Sequence, residues 1–306
     1  RQELVPLERA GCYAPGGRYP LVSSVLMTGV TARVAGVKQI TLASPNPSTL
    51  MLAAAHIAGA TSFLAAGGAQ AIGALAYGVD GLAPVDLLVG PGNAYVTAAK
   101  QLVSSEVGID LPAGPSELVI LADARAEARL VAADLIAQAE HDGQARAFLV
   151  TPSASLIEGV ERELERQLDS LPNREVAREA LASSGSVQVA GLGEGCEVCN
   201  ELAPEHLEVQ VANSAAVLPA LRHYGALFVG SAAAEVLGDY GIGPNHVLPT
   251  GGGARRSGGL SVFDFLRVRT VLECDAVDPQ IVEDTIALAR LEGLEGHARA
   301  AELRES

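Results

Sequence analysis

The segment QAEHD, residues 138–142, ends an apolar helical pattern, ADLIAQAEHD, with two side chains that can hold a metal ion. Gln138 and His141 are three residues apart, so one helical turn brings them to the same face. Asp134 lies one turn before Gln138. A metal site explains this spacing. A polar helix end that faces water also explains it, and for the segment alone it is the simpler interpretation.

Acid–base chemistry is indicated where Glu205 directly precedes His206 in LAPEHLEV, at the proline-marked entry to a strand. Both side chains can titrate near neutrality if they are partly buried. The alternative is an ordinary charged loop. Asp239 in LGDYGIGPNHVLPT and His297 in LEGLEGHARA add nitrogen and oxygen donors of the kind that zinc accepts. No H-E-x-x-H or comparable local signature supports a metal site, and none of these segments decides the question alone.

Phosphate-binding signatures are weak. No G-x-G-x-x-G follows a predicted strand, and VGPGNAYV and AAGGAQAIG only approximate the glycine turns that place backbone N–H groups against phosphate. The pair Cys196 and Cys199 has C-x-x-C spacing, but no second pair completes a zinc ribbon, so two small residues near a helix are the simpler interpretation.

The amino-acid composition limits the classes of function that this chain can have. The 306 residues are 49% hydrophobic but only 4% aromatic, which is common in layered α/β proteins, and the formal net charge of −15 argues against nucleic-acid binding. Four cysteines are too few for a disulfide framework and favour a reducing cytoplasm.

The run from Gln39 to Val79 contains no charged residue. Its prolines and paired glycines predict strand, helix, strand and helix in a soluble core rather than a membrane span. The first residues of the sequence, RQELVPLERAG, lack the apolar region of a signal peptide.

Short apolar runs alternate with helical patterns, which predicts an α/β fold with parallel sheets. The predicted strands are residues 39–44, 62–67, 86–90, 117–123, 147–151, 186–191, 207–211 and 226–230. Eight strands fit one barrel or two open sheets, and the Gly/Pro-rich punctuation favours two sheets. LPAGPSE (111–117) is the predicted seam between them, and strands are expected to stop after about residue 262, where a helical tail begins.

Eight ordered motifs resemble histidinol dehydrogenases, over nearly the whole chain from about Pro6 to Leu303. They are GCYAPGGRYPLVSSVLMT, GGAQAIGALAYG, VGPGNAYV, GIDLPAGPSE, DLIAQAEHD, LAPEHLE, GDYGIGPNHVLPT and EGLEGHARA. The resemblance implies a zinc-dependent, NAD-linked enzyme that oxidises L-histidinol to L-histidine through L-histidinal. It also implies two Rossmann-like domains, residues 1–116 for NAD and 117–260 for the metal and the bases, followed by a helical C-terminal tail, 261–306.

The same resemblance assigns the site residues. The implied zinc ligands are Gln138, His141, Asp239 and His297, with Asp134 not a ligand, and the metal chiefly holds the substrate. His206 would take the hydroxyl proton, and Glu205 would activate the water that hydrates the aldehyde. Substrate-contacting positions are Ser23, Ser116, Glu235, His246 and Glu292. NAD-contacting positions are Tyr13, Pro15, Gln70, Pro91 and Asn93.

The resemblance further implies an intertwined homodimer in which the C-terminal Glu292 and His297 complete the neighbour's site. Two features differ from the family pattern. A helical region normally precedes residue 1, and GGGARRSGGLS places Gly253 and Arg256 where a small hydroxyl and an aromatic residue are usual. We therefore keep a related dehydrogenase of another small polar alcohol, such as a sulfonated propanediol, as the first alternative. A zinc hydrolase that uses Glu205 without a cofactor and a non-catalytic NAD-binding or oligomerisation protein are further alternatives.

Overall fold

The computed structural model describes residues 1–16, 21–111, 114–172 and 174–304. Residues 17–20 of the motif GCYAPGGRYPLVSSVLMT and residues 112 and 113 of the predicted seam lie outside the described residues. The chain divides into two compact units, Pro6–Arg267 and a smaller unit made of Arg1–Val5 with the chain from Val268 onward.

Secondary structure alternates between strands and helices through most of the chain. The strands are β1 (Gln2–Pro6), β2 (Arg9–Tyr13), β3 (Gln39–Ala43), β4 (Ser62–Leu64), β5 (Leu87–Val89), β6 (Gly108–Ile109), β7 (Glu117–Ala122), β8 (Arg146–Thr151), β9 (Gly185–Gln188), β10 (His206–Gln210), β11 (Ala226–Val229) and β12 (Leu266–Thr270). The helices are α1 (Val22–Ala35), α2 (Thr49–Ala58), α3 (Gly68–Tyr77), α4 (Ala94–Val103), α5 (Ala128–Ala139), α6 (Ala154–Leu168), α7 (Arg174–Leu181), α8 (Leu192–Leu202), α9 (Ser214–Val217), α10 (Val236–Asp239), α11 (Pro279–Leu291) and α12 (Glu295–Glu302).

The first sheet of the larger unit is a five-stranded parallel sheet in the order β4-β3-β2-β5-β6. From β2 the chain builds outward through β3 to β4, and then returns to the other side of β2 for β5 and β6. The strand order therefore reverses between β2 and β5. In open α/β sheets, ligands bind at the carboxyl ends of the strands beside such a switch point.

The second sheet repeats this plan in the order β11-β10-β7-β8-β9, again with parallel pairing throughout. Apolar side chains of β7 alternate between its two faces. Leu118 and Ile120 join the core with Leu135 of α5, while Val119 and Leu121 pack in a separate cluster with the residues of α8 and β10. Both faces are thus covered, as parallel sheets require.

All eight predicted strands are present, and they form two sheets rather than one barrel. The charge-free run folds as β3, α2, β4 and α3, in the predicted order of strand, helix, strand and helix. Among the described residues, no helix combines the length and the apolarity needed to cross a membrane. Cys196 and Cys199 are free thiols buried on α8, and burial raises the pKa of each. This agrees with the interpretation of CEVC as two small residues that pack near a helix rather than as a zinc site.

Two expectations about strands were incomplete. The central strand β2, RAGCY, was not predicted, because it contains no run of branched residues. A Cβ at Gly11 would lie 2.9 Å from Leu88 Cδ2 and 3.2 Å from Val85 Cγ2, so packing leaves no space for a larger side chain there. The expectation that strands stop after residue 262 was wrong, since β12 follows it and pairs with β1.

The smaller unit contains most of the two-stranded β1-β12 sheet and the helices α11 and α12, which confirms the predicted helical C-terminal segment. Asp278 caps α11 by accepting a hydrogen bond from the Gln280 N–H at 2.9 Å. Val282, Ile286 and Ala298 are buried members of its apolar cluster.

Gly11 offers a direct test of the close packing around β2. Gly11→Ala should lower the free energy of unfolding by about 1–3 kcal/mol, because the added methyl meets two buried side chains. The matched control is Gly73→Ala in α3, where an added Cβ meets nothing within 4 Å. Alanine is the better helix former by roughly 0.5–1 kcal/mol, so the control should gain stability in urea titrations. Equal effects of the two substitutions would contradict this packing.

Candidate active site

The candidate site is built on the polar face of β10. His206, Glu208 and Gln210 alternate along the strand, so they share one face, while Leu207 and Val209 join the apolar cluster on the other. All five residues are buried. The polar face is directed toward α5, because the Gln210 Nε2 donates to Asp134 Oδ2 at 3.1 Å. Buried polar groups in such a layer need partners, and these partners define the site.

His206 has a defined tautomer. Its Nδ1 lies 3.2 Å from the Glu117 carbonyl oxygen, which can only accept a hydrogen bond, so Nδ1 carries the proton. The neutral ring then has its lone pair on Nε2. Glu235 Oε1 is 3.6 Å from Nε2, too far for a hydrogen bond, so this lone pair can accept a proton from a ligand. Burial lowers the pKa of His206 to about 4, partly offset by Asp239.

Glu205 is held by the same neighbouring strand. Its Oε2 accepts a hydrogen bond from the Glu117 N–H at 3.0 Å and lies 3.7 Å from His206 Nδ1. Glu117 Oε1 in turn accepts from the Gly251 N–H at 3.2 Å. Burial raises the pKa of Glu205 well above its ordinary value, and the nearby carboxyl groups act in the same direction. The expected acid–base pair is therefore buried and positioned by β7, not part of a charged loop.

A second carboxyl group, that of Glu235, lies near His206 on the polar face of β10. Glu235 is buried, and its backbone N–H donates to Glu208 Oε1 at 2.8 Å. Glu208 Oε2 accepts from Gln210 Nε2 at 3.0 Å, and its carboxyl group is also in hydrogen-bond contact with that of Asp134. Burial, reinforced by neighbouring carboxylates, raises the pKa values of Glu235 and Glu208 to about 8 each. Near neutrality these groups hold protons.

Asp239 and His246 are brought together by the glycine-rich segment between them, and Asp239 Oδ1 lies 2.9 Å from His246 Nδ1. Burial alone would raise the pKa of Asp239, but the His246 hydrogen bond and the charges of His141 and His206 lower it overall. Asp239 therefore stays ionised beside three imidazoles.

Gln138 is the most unusual predicted metal ligand. It is fully buried near the end of α5, and neither its Oε1 nor its Nε2 has a hydrogen-bond partner. His141 lies just beyond the helix and is exposed. In the described part of the chain, no three His, Cys, Asp or Glu side chains already converge as a metal cluster. A buried amide oxygen without a partner nevertheless fits a group that binds a cation, since leaving it unpaired costs free energy.

The predicted cofactor residues lie along the carboxyl edge of the first sheet. Tyr13 ends β2, and Pro91 and Asn93 follow β5, so these three flank the switch point between the two strands. Pro15 follows Tyr13 by two residues, and Gln70 is exposed in the first turn of α3.

Two of these side chains already have protein partners. The Asn93 Oδ1 caps α4 by accepting from the N–H groups of Tyr95 and Val96, both at 3.1 Å. The hydroxyl oxygen of the buried Tyr13 accepts from the Gly68 N–H at 3.1 Å and keeps its own O–H to donate. The amino end of α4 is thus capped by the chain itself, which leaves fewer N–H groups for a phosphate than VGPGNAYV suggested.

The remaining predicted residues are more dispersed. Ser23 is half-buried in the first turn of α1, and Ser116 is half-buried directly before β7. Glu292 is the residue after α11 and His297 lies in α12, so both belong to the smaller unit, and both are exposed.

Sequence reasoning did not identify Glu117 or Glu208. A signal for Glu208 was present, because polar residues at alternate positions of a strand in a doubly covered parallel sheet must be buried and paired. Glu117 gave no comparable signal. Its role depends on the register of β10 against β7, in which His206 pairs with Leu118.

Comparisons with known proteins agree across the chain. The family model described as histidinol dehydrogenase matches residues 1–305. The histidinol dehydrogenase of Geobacillus kaustophilus is 51% identical over 99% of this chain and 73% of that protein, and that of Aquifex aeolicus is 48% identical over 100% and 72%. The crystal structure of histidinol dehydrogenase from Elizabethkingia anophelis superposes with a TM-score of 0.93 at 36% identity, over 99% of this chain and 72% of that one.

The protonated state of Glu208 predicts a pH-dependent stability. The folded protein holds this proton up to about pH 8, whereas a glutamate in the unfolded chain releases it near 4.5. Stability contributed by this group is therefore fully present below about pH 4.5 and is lost as pH rises toward 8. Glu208→Gln should remove that loss, by roughly 1.4 kcal/mol per pH unit within this window.

The measurement is urea unfolding of both proteins at pH 5.5 and pH 8. Glu197→Gln, at an exposed position of α8, controls for the amide substitution itself. The account of Glu208 is wrong if the variant and the wild type lose stability in parallel between the two pH values.

Proposed function

The chain belongs to the histidinol dehydrogenase family, and on that premise we propose that it oxidises L-histidinol through L-histidinal to L-histidine, the last two steps of histidine biosynthesis. Family membership makes it an oxidoreductase. The observation that carries the proposal is the buried, neutral His206, whose Nε2 is available, with the Glu205 carboxyl group near Nδ1 and the Glu235 carboxyl group near Nε2.

In the first step His206 accepts the proton of the substrate hydroxyl at Nε2. The hydrogen bond between Nδ1 and the Glu117 carbonyl fixes the ring so that only Nε2 can act as the acceptor. A pKa as low as about 4 makes the free imidazole a weak base. The charge of Asp239 favours the imidazolium that forms and partly offsets the effect of burial, which favours the neutral ring.

In the second step Glu205 accepts a proton from the water that adds to the aldehyde. Burial raises the pKa of Glu205, which makes its ionised carboxylate a stronger base toward this water than an exposed glutamate would be. Its Oε2 is held by the Glu117 N–H. The carboxyl group can therefore take and return a proton without losing its position.

The residues proposed to hold zinc are Gln138, His141 and Asp239, joined by His297 from a second copy of the chain. When bound, zinc would chiefly hold the substrate through its imidazole and amine, and NAD would accept the electrons of both oxidations. Tyr13, Pro15, Gln70, Pro91 and Asn93 are proposed to contact NAD. Ser23, Ser116, Glu235, His246 and Glu292 are proposed to contact the substrate.

The assembly and domain proposals follow from the same family resemblance. We propose a homodimer in which Glu292 and His297 of one copy complete the site of the other. Within each chain, residues 1–116 would bind NAD, and residues 117–260 would carry the metal and the two bases.

The proposed function is tested by incubating zinc-loaded protein with NAD and a panel of small polar alcohols while NADH absorbance is followed. The panel contains L-histidinol and a sulfonated propanediol. We expect NADH formation with L-histidinol. NADH formation with the sulfonated propanediol alone would assign a sibling activity, and the absence of NADH with every alcohol would contradict the proposal.

Substitution of the two bases should separate the two oxidations. His206→Asn keeps a donor near the position of Nδ1 but has no Nε2, so alcohol oxidation should slow by about 10²–10⁴-fold. Glu205→Gln retains an acceptor for the Glu117 N–H and should mainly slow oxidation of the aldehyde. Single-turnover rates with L-histidinol and with L-histidinal give the two effects, with zinc content measured as the control. Equal slowing of both steps by both variants would refute this division.

Gln138 is expected to lower the stability of the metal-free protein and to be required for zinc binding. Gln138→Leu removes a buried amide without partners, so the metal-free protein should gain about 1–3 kcal/mol in unfolding free energy. The same variant should lose zinc, measured by elemental analysis. His141→Ala, at an exposed ligand position, should lose zinc with little change in metal-free stability. Full zinc occupancy in both variants would remove the metal assignment.

A further inference from the structure

A buried ion pair lies behind the loop that follows β5. Lys100 of α4 and Asp110, directly after β6, form a salt bridge with side chains that are only 3% and 1% exposed. The loop, Gly90 to Asn93, lies at the carboxyl edge of the first sheet beside the switch point. A buried lysine near a glycine-containing loop raises the question of whether it binds a phosphate.

The contacts of Lys100 exclude that role. Its Nζ donates to the Gly90 carbonyl oxygen at 3.0 Å, to Asp110 Oδ1, and to the Leu111 carbonyl oxygen at 3.1 Å. A lysine ammonium has three N–H donors, and all three are used within the protein. None is left for a ligand, so the role of Lys100 concerns the loop itself.

Asp110 completes a closed set of contacts. Its Oδ2 accepts from the Gly90 N–H at 2.7 Å, so both backbone polar groups of Gly90 are bound by the ion pair. The Asp110 N–H is tied to the Leu88 carbonyl oxygen of β5 at 3.1 Å. One pair of side chains thus joins the carboxyl ends of β5 and β6 and fixes the first residue of the loop.

Gly90 also contacts the neighbouring strand. Its φ of +114° is a conformation that favours glycine, and an added Cβ would lie 2.0 Å from the Tyr13 carbonyl oxygen. The loop is therefore fixed on one side by the Lys100–Asp110 pair and on the other by the end of β2. Tyr13, Pro91 and Asn93, three proposed cofactor positions, take their relative placement from this arrangement.

We propose that Lys100 and Asp110 are positioning residues for NAD, because they hold the Gly90–Asn93 loop in the conformation that binds the dinucleotide. This inference rests on the proposed function. Ordering a loop residue costs on the order of 1–2 kcal/mol, so a loop that is already ordered before binding strengthens affinity. The pair touches neither the proposed metal ligands nor the bases, so its removal should weaken cofactor binding alone.

The test replaces both members by apolar residues, Lys100→Met/Asp110→Val. Exchange of a whole buried ion pair for apolar side chains is often tolerated, whereas removal of one member leaves the other as an unpaired buried charge. NADH affinity, measured by the fluorescence of bound NADH, should weaken about 10-fold or more. Zinc content and the affinity for L-histidinol, measured by calorimetry, should stay at the wild-type values. In steady state, KM for NAD should rise while KM for L-histidinol stays unchanged.

The matched control is Asp86→Asn, at the opposite edge of the same sheet. Asp86 Oδ2 accepts from the backbone N–H groups of Glu8 and Arg9 at 3.0 and 2.8 Å, so it also ties a strand start by its carboxylate. This control should leave NADH affinity unchanged even if it lowers stability. If the double variant does not fold, Lys100→Arg, which keeps the charge pair but cannot reproduce the three contacts of one ammonium group, should weaken NADH binding to a smaller extent and with the same selectivity.

The outcomes separate this inference from the proposed function. NADH binding by the wild type with equal binding by Lys100→Met/Asp110→Val overturns the positioning role and leaves the proposed function standing. Equal weakening by the double variant and by Asp86→Asn also overturns it, because the effect would then follow stability. No NADH binding by the wild type overturns both.

Discussion

The site depends on the removal of water from the polar face of β10. Glu205 and His206, at the start of β10, are buried like the rest of the strand, and the centroid of the Phe228 ring lies 6.1 Å from that of the His206 ring. Desolvation favours the neutral form of each group, so it lowers the pKa of His206 and raises the pKa of Glu205. Two groups with pKa values shifted in opposite directions by one environment are well suited to proton transfer.

The same desolvation explains why the site contains so many carboxyl groups and still folds. Glu208 and Glu235 hold protons near neutrality, so most of their mutual repulsion is absent. Asp239 stays ionised because it is paired with His246. A cation held by Gln138 and its neighbours would favour ionisation of the remaining groups. Metal binding and proton release are therefore expected to be linked at this site.

Sequence patterns predicted the layered fold well, because long apolar runs such as ELVILA have few alternatives to a buried strand. They failed for β2, whose small residues are selected by close packing across the sheet. For the site, spacing alone left the metal and the bases open, and the assignments came from family resemblance. Neither could give the contact of Glu117 with His206, since this depends on the register between strands that are 84 residues apart at their closest ends, Ala122 and His206. Buried partners of this kind follow from topology and not from local sequence.

The protonation state of His206 is the most direct test of this account. Protein labelled with ¹⁵N-histidine can be titrated by NMR from pH 8 to pH 5.5, with His206→Asn used to assign the resonances. We expect His206 to keep a protonated Nδ1 and an unprotonated Nε2 over the whole range, because burial lowers its pKa to about 4. A titration with a midpoint near the ordinary histidine value of about 6.5 would contradict it.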